Sequence, residues 1–418
     1  VTTALLADVA TAAAWVAVLL GNGFLTLALL LSRPSRGAAV GRAPIEPWTR
    51  DRIASGAGAL VAVVRPLYGA DHSGGRNNAS LLAQRIGGGV EFVFVASRRR
   101  DPGMTAARAA HGADARTSFL VSESRDDTTD KVAGMAAGWR ATTAPFVAFC
   151  DADVHLDPDD LAACLALFDA NDVAGVFAPV LHVPTTGLQR LLAMVASGDK
   201  IVTVRALERM GRLGLMEGGL MVLRRAALEA TGSIEVLRET VADDLRLAAV
   251  LTAAGFRLRA GPVIRHAQEA CGAAGLARQY HRWMLCQRVE SPRLLAVQLG
   301  LHAVVAPLAA WALNPTSVLA ASLLAVSLLW RISVTAAIER TQLRPHGVRL
   351  GWWVLLRPLA DLLHVAACVA AFAVPSVRWG DRTYRFKRRT LEGGPASGHT
   401  SPHAAGLGAL RGTVRSSR

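Results

Sequence analysis

The sequence predicts an α/β protein with a mainly parallel sheet, carried between membrane-spanning helices at both ends. Three observations predict it. Short β-branched or aromatic runs alternate with Ala-rich helical stretches between residues 54 and 290, the pattern of strands buried on both faces and linked by helices. Ala10–Leu31 carries no charged residue, and apolar blocks return after Leu294, each long enough to suggest a membrane helix. Between them, Pro145–Asp160 reads PFVAFCDADVHLDPDD, an apolar strand running straight into two carboxylates one residue apart.

The chain has 418 residues, 52% hydrophobic, with a formal net charge of +14. Its mean hydropathy of +0.31 is high for a wholly soluble protein. With apolar spans present, the positive balance points to anionic lipid and phosphorylated substrates rather than nucleic acid. The cysteines at 150, 164, 271, 286 and 368 include no CxxC pair, which argues against a zinc site or a disulfide framework.

In order, residues 1–32 form an N-terminal transmembrane helix. No basic segment precedes the apolar run, so a cleaved signal peptide fits poorly. Residues 33–53 form an Arg-rich linker (Arg33, Arg36, Arg42, Arg50, Arg52), which the positive-inside rule places in the cytoplasm. Residues 54–290 are the α/β domain. Strands are expected at Leu60–Val64, Phe92–Ala96, Phe146–Cys150 and Val173–Val180, and helices at Asp130–Gly138, Leu161–Phe168 and Val241–Ala254. Asp157 and Pro158 read as the N-cap and first residue of a helix.

Residues 291–375 are membrane segments. Leu294–Leu313 and Val318–Leu329 form a hairpin turning at Asn314-Pro315-Thr316, and the Arg-bearing stretch after it faces the cytoplasm. Gly351–Val374 includes Arg357, Asp361 and His364, and charge at membrane depth is costly. It is therefore assigned a re-entrant or interfacial place. Residues 376–418 form a basic cytoplasmic tail: from Val377 on it holds nine Lys and Arg against Asp381 and Glu392. That charge suits an anionic membrane surface. Leu391–Arg418 has the composition of a disordered segment.

Four sites can carry chemistry. Asp151 and Asp153 follow the Phe146–Cys150 strand, and ligands bind open α/β sheets at the carboxyl edge of the strands. Two carboxylates there suit a hard cation, Mn²⁺ or Mg²⁺, that clamps a diphosphate; helix capping is the plainer alternative. Asp101, at the end of the Phe92–Ala96 strand, can accept hydrogen bonds from a nucleotide, or can be an ordinary turn aspartate before Pro102. Asp243 and Asp244 sit where a helix dipole favours acids, and one of them can act as general base toward an alcohol. Gln279, Arg282 and Trp283 share one helix face at i, i+3 and i+4, suited to a diphosphate and an apolar acceptor or to a membrane interface.

The succession Asp101, Asp151-Ala152-Asp153, Asp243-Asp244 and Gln279-x-x-Arg282-Trp283 resembles the D, DxD, D, (Q/R)xxRW signature of inverting family-2-type glycosyltransferases. Within them the chain is most similar to the ceramide glucosyltransferase branch, which includes bacterial hopanoid-associated transferases. The similarity runs through Val64-Arg65-Pro66-Leu67-Tyr68-Gly69, Asp130-Lys131, Glu217-Gly218-Gly219-Leu220-Met221-Val222-Leu223-Arg224 and Arg378-Trp379…Tyr384-Arg385, over roughly residues 5–390.

The resemblance implies a GT-A, Rossmann-like catalytic domain facing the cytoplasm from an inner membrane. It implies a UDP-sugar donor and a membrane lipid acceptor, glucose and a ceramide-like lipid first, N-acetylglucosamine and a hopanoid as the alternative. Asp101 and Lys131 would contact the nucleotide, and Asp151 and Asp153 the metal and diphosphate. Asp244 would be the base. Asp243, Gln279, Arg282 and Trp283 would frame the diphosphate and acceptor. Two positions depart from the family pattern: Asp243 stands where Glu is usual, and the stretch after Lys131 lacks the usual Asn. A polysaccharide synthase needs a larger helical pore, and a non-catalytic lipid-binding scaffold needs no carboxylates at strand ends.

Overall fold

The structure is a computed structural model, and it describes residues 2–32, 59–69, 74–87, 89–123, 128–267, 272–302, 304–379, 382–387 and 390–395. The expected linker at 33–53 and the tail beyond 395 lie outside the described residues.

The α/β domain is built on a seven-stranded sheet in the order β3-β2-β1-β4-β8-β6-β9. Its strands are β1 (Val61–Leu67), β2 (Val90–Ala96), β3 (Thr117–Val121), β4 (Phe146–Cys150), β6 (Val173–Phe177), β8 (Leu220–Arg224) and β9 (Arg257–Ala260). Strands β1 to β4 run parallel to one another. Strand β8 runs antiparallel to β4 and β6. A period of two divides the side chains between two cores. Val61, Val63, Phe92, Phe94, Phe146 and Ala148 enter one; Val64, Val93, Val95, Val147 and Phe149 enter the other. Burial on both faces explains why these runs are continuously apolar.

Helices α2 (Gly74–Leu82), α3 (Pro102–His111) and α4 (Asp130–Ala141) follow β1, β2 and β3. The parallel order therefore delivers the turns after β1, β2, β3 and β4 to one edge. Helix α4 lies close on β1: a Cβ on Gly138 would fall 2.3 Å from Val64 Cγ1. Asp157 does not cap a helix. Helix α5 (Asp160–Leu165) starts after Asp159, and Asp157 instead pairs with Arg265. The expected strand Val173–Val180 divides into β6 and β7 (Val180–Val183). With β5 (Val154–His155) and β10 (Ile264–Ala267), β7 forms a small sheet in the order β5-β10-β7.

Helix α6 (Gly187–Ala193), a wide helical turn at Met194–Asp199 and α7 (Lys200–Arg209) lead toward the long apolar helices. Helices α8 (Arg225–Ala230) and α9 (Asp243–Ala253) return to the domain, and α10 (Ala273–Glu290) leaves it.

Three helical segments are long and apolar enough to cross a membrane: Asp8–Ser32, Val318–His346 and Gly351–Ala373. The first lies within α1 (Thr2–Ser32); the others contain α13 (Val318–Ile338) and α14 (Arg357–Ala373). Leu294–Leu313, expected as one arm of a hairpin, is two helices, α11 (Pro292–Leu301) and α12 (Val305–Leu313). The break falls at His302, whose Nδ1 lies 2.7 Å from Asp361 Oδ1 in a buried cluster. Arg331 is fully buried within α13. Arg331 and Arg357 both bond Asp361 and Asp199, so two guanidinium groups and two carboxylates neutralise one another inside the bundle.

Helix α1 packs through Leu25, Ala28 and Leu29 on Val202 of α7 and Val334 and Ile338 of α13. Leu19, Leu20, Leu329, Leu363 and Phe372 face outward, the surface lipid would cover. A terminal three-stranded antiparallel sheet comprises β11 (Ser376–Trp379), β12 (Arg382–Lys387) and β13 (Thr390–Pro395). Strand β13 corrects the disorder expected from Leu391 as far as Pro395.

Candidate active site

Two of the turns at the carboxyl edge and the start of a later helix supply the candidate site. Asp151 follows β4, and Lys131 opens α4 after β3. Lys131 Nζ lies 2.8 Å from Asp151 Oδ1 and 3.1 Å from Asp243 Oδ2. Asp243 and Asp244 form the first turn of α9, where the helix dipole favours them. Asp244 Oδ2 accepts from the Gly218 amide at 3.1 Å, and its Oδ1 accepts from the Leu245 amide at 2.8 Å.

Gly218 is the meeting point. A Cβ there would fall 3.0 Å from Lys131 Nζ and 3.7 Å from both Asp151 Oδ2 and Asp244 Oδ2. Lys131, Asp151, Asp243 and Asp244, spread over more than a hundred residues of sequence, therefore share one cleft wall.

The electrostatics follow from that crowding. Burial pushes the Asp151 carboxyl up to about 7; Lys131 opposes the shift, and Asp153 and Asp243 reinforce it. Burial also pushes Asp244 up to about 6, helped by Asp243 and opposed by Lys131. Burial alone would lower Lys131, but Asp151 and Asp243 outweigh it and hold the ammonium protonated.

Asp153 is more open, with 54% of its side chain exposed, and its Oδ2 lies 3.4 Å from His266 Nε2. His266 Nδ1 in turn meets His182 Nδ1 at 3.1 Å, one ring donating and the other accepting. Burial, with Lys200 and His266 nearby, holds His182 well below the usual histidine range, so its imidazole is neutral.

Trp283 of α10 packs on the His182 ring, centroids 5.1 Å apart. Arg282 and Gln279, on the same helix, are half-buried. Burial pushes the Cys286 thiol up to about 12; Arg282 opposes, and Asp244 and Asp243 reinforce. Helix α10 thus lies within the field of the acidic pair.

Asp101 stands apart. It lies five residues past β2, a strand that runs two strand spacings or about 10 Å across the sheet from β4. Its Oδ2 accepts from the Gly69 amide at 2.7 Å and its Oδ1 from the Met104 amide at 3.1 Å, capping α3. Its carboxylate is engaged by main-chain donors, as the turn-aspartate reading anticipates.

His182, His266 and Gly218 were not singled out as site residues from the sequence. Two histidines 84 positions apart carry no spacing signal, and only the pairing of β7 with β10 aligns them.

Among the described residues no group of three or more His, Cys, Asp or Glu side chains is arranged to hold a metal ion. Asp151 and Asp153 offer a partial set of hard oxygen donors in a cleft with surplus negative charge. That set fits a divalent cation whose remaining ligands are diphosphate oxygens and water.

A Rossmann-like α/β sheet with an Asp-x-Asp at its carboxyl edge and an acid pair beside it is the arrangement of a GT-A glycosyltransferase. A solved structure agrees in fold. The mannosyltransferase PcManGT from Pyrobaculum calidifontis, in complex with GDP-Man and Mn²⁺, is 18% identical with a TM-score of 0.53, covering 88% of this chain and 99% of its own. Glucosyl-3-phosphoglycerate synthase from Mycobacterium tuberculosis, in complex with Mn²⁺ and UDP-glucose, is 17% identical with a TM-score of 0.35, covering 57% of this chain and 82% of its own. No curated protein matches the sequence. The model of glycosyl transferase family 21 matches residues 36–391, and the chain belongs to that family.

Proposed function

We propose that the protein transfers a hexose, with inversion, from a UDP-sugar to the hydroxyl of a membrane lipid, glucose to a ceramide-like acceptor. The observation that carries this reading is that the segment leading into the acidic pair packs beside the apolar helix α14. Val241, two residues before Asp243, shares one apolar cluster with Met284 and Leu285 of α10 and Cys368 and Ala371 of α14. A lipid hydroxyl lying along α14 can therefore reach Asp244 without leaving the membrane surface.

Asp244 accepts the proton of the attacking hydroxyl, and the Gly218 and Leu245 amides fix the orientation of its carboxylate. A single base with no separate carboxylate nucleophile suits one displacement and hence inversion. Lys131 holds Asp151 and Asp243 in place and adds positive charge at the diphosphate end. Asp151 and Asp153 would hold Mn²⁺ or Mg²⁺, which when bound neutralises the departing UDP. Asp101 and Lys131 border the nucleotide, and Gln279, Arg282 and Trp283 frame the diphosphate and the acceptor. The arginine-rich segment 33–53 supports a cytoplasmic catalytic domain on an inner membrane.

The test is incubation of membranes containing the protein with isotope-labelled UDP-glucose and UDP-N-acetylglucosamine, followed by mass analysis of the lipid fraction. A glycosylated lipid bearing the label from UDP-glucose is expected, and it disappears in Asp244→Asn. Label that enters only polymer, or no lipid at all, refutes the proposal.

A further inference from the structure

Arg65 belongs to the Val64–Gly69 stretch, and the mechanism above leaves it unused. It lies on β1, beside β4, and is fully buried. Its Nη2 donates to three carbonyls of the Asp-x-Asp turn: Asp151 O at 2.8 Å, Ala152 O at 3.2 Å and Val154 O at 3.0 Å. Its Nη1 donates to Asn77 O at 3.0 Å, and Asn77 Nδ2 donates to Ala152 O at 3.1 Å.

Among the described residues no carboxylate pairs with this guanidinium, and its Nε has no acceptor. A buried cation held only by carbonyls is expensive. An uncharged side chain could not gather so many acceptors, and a lysine lacks the planar fork that reaches both Asn77 and the turn.

We propose that Arg65 is a positioning residue for the donor site. Its guanidinium draws in the carbonyls of the Asp151–Val154 turn and so fixes the spacing of the Asp151 and Asp153 carboxylates for a divalent ion and a diphosphate. This rests on the reading of those two aspartates as the donor-side ligands.

The experiment uses the full-length protein in detergent, with R65M, R65K and N77A beside the wild type. Free Mn²⁺ is read by electron paramagnetic resonance, UDP binding by calorimetry in saturating Mn²⁺, and folding by thermal melting. Loss of a supporting partner weakens metal binding about 10–100-fold, and R65M is expected in that range. R65K and N77A should shift in the same direction by less.

Wild-type affinity for Mn²⁺ and UDP in folded R65M overturns the proposal, as does tighter Mn²⁺ binding, which would make Arg65 a mere opposing charge. Should R65M fail to fold, wild-type affinities in both R65K and N77A overturn it equally. A wild-type protein that binds neither Mn²⁺ nor UDP instead refutes the donor-site reading itself.

Discussion

Replacing Asp244 with asparagine keeps the shape of the side chain and removes the proposed base. The wild-type carboxylate accepts two main-chain N–H groups, one on each oxygen. Asparagine has one carbonyl oxygen, so either the Gly218 or the Leu245 amide loses its acceptor, at a cost of about 1–3 kcal/mol. The catalytic loss is larger. General base catalysis contributes about 10²–10⁴-fold, or about 3–5 kcal/mol of barrier.

The pH profile separates this from a structural defect. Asp244 is pushed up to about 6, chiefly by burial, and it accepts a proton only when ionised. At saturating divalent metal, which favours the ionised form of Asp151, wild-type kcat should fall as the pH drops through about 6, while the residual rate of the variant stays flat. The stability effect has the opposite sense. A carboxyl raised in the folded state contributes stability that is fully present below its unfolded value of 3.8 and is lost as the pH rises through about 6. Asp244→Asn should therefore lose less stability than wild type across that window. The assay is single-turnover transfer to a short-chain lipid acceptor, with melting curves alongside. A variant that keeps more than about a tenth of wild-type kcat is incompatible with general-base catalysis of that size. A wild-type profile flat around pH 6 would likewise refute the assignment.

Asp153→Ala removes an exposed side chain whose described contact is His266. Membrane insertion and melting should be unchanged while UDP-sugar turnover falls by about 10²-fold or more; retained turnover would exclude Asp153 from the donor site. Asp361→Asn leaves the guanidinium groups of Arg331 and Arg357 short of charge within the bundle, so unfolding in detergent should come earlier by about 3–5 kcal/mol. Unchanged melting would show that the cluster is not a structural tie. Gly138→Ala drives a methyl group into Val64 and should cost about 1–3 kcal/mol by chemical denaturation.

The legible parts of the sequence were those with a local period or a local pair. Strand β4 and its Asp-x-Asp were readable because a fully buried five-residue run ends abruptly in charge. The helix at Asp243 was readable from its acidic first turn. What stayed hidden was non-local. Strand β8 comes late in the chain yet lies beside β4, and only that antiparallel pairing brings Gly218 under Asp244. His182 and His266 become neighbours through a three-stranded sheet that no periodicity announces. The break at His302 escaped a hydropathy reading because its cause lies in Asp361, 59 residues away. Asp157 was misread for a related reason: its partner, Arg265, is distant in sequence.

The long-range contacts also explain why a soluble-looking chemistry is welded to apolar helices. Helix α10 carries Tyr280 and Trp283 on one stretch, and these rings lie 5.5 Å apart. Trp283 touches His182, which reaches Asp153 through His266. Tyr280 meets His364 of α14, centroids 6.0 Å apart, and His364 packs tilted against His302 at 4.2 Å. One unbroken series of ring contacts thus runs from the Asp-x-Asp turn into the buried ion cluster of α13 and α14. Asp199, at the end of the helical turn that enters the domain, closes the circuit by bonding Arg331 and Arg357. A charged cluster inside apolar helices is costly to bury. Here it ties the α/β domain, through Asp199, to the long apolar helices, and under the proposed function that tie would let a lipid hydroxyl meet Asp244 in one geometry.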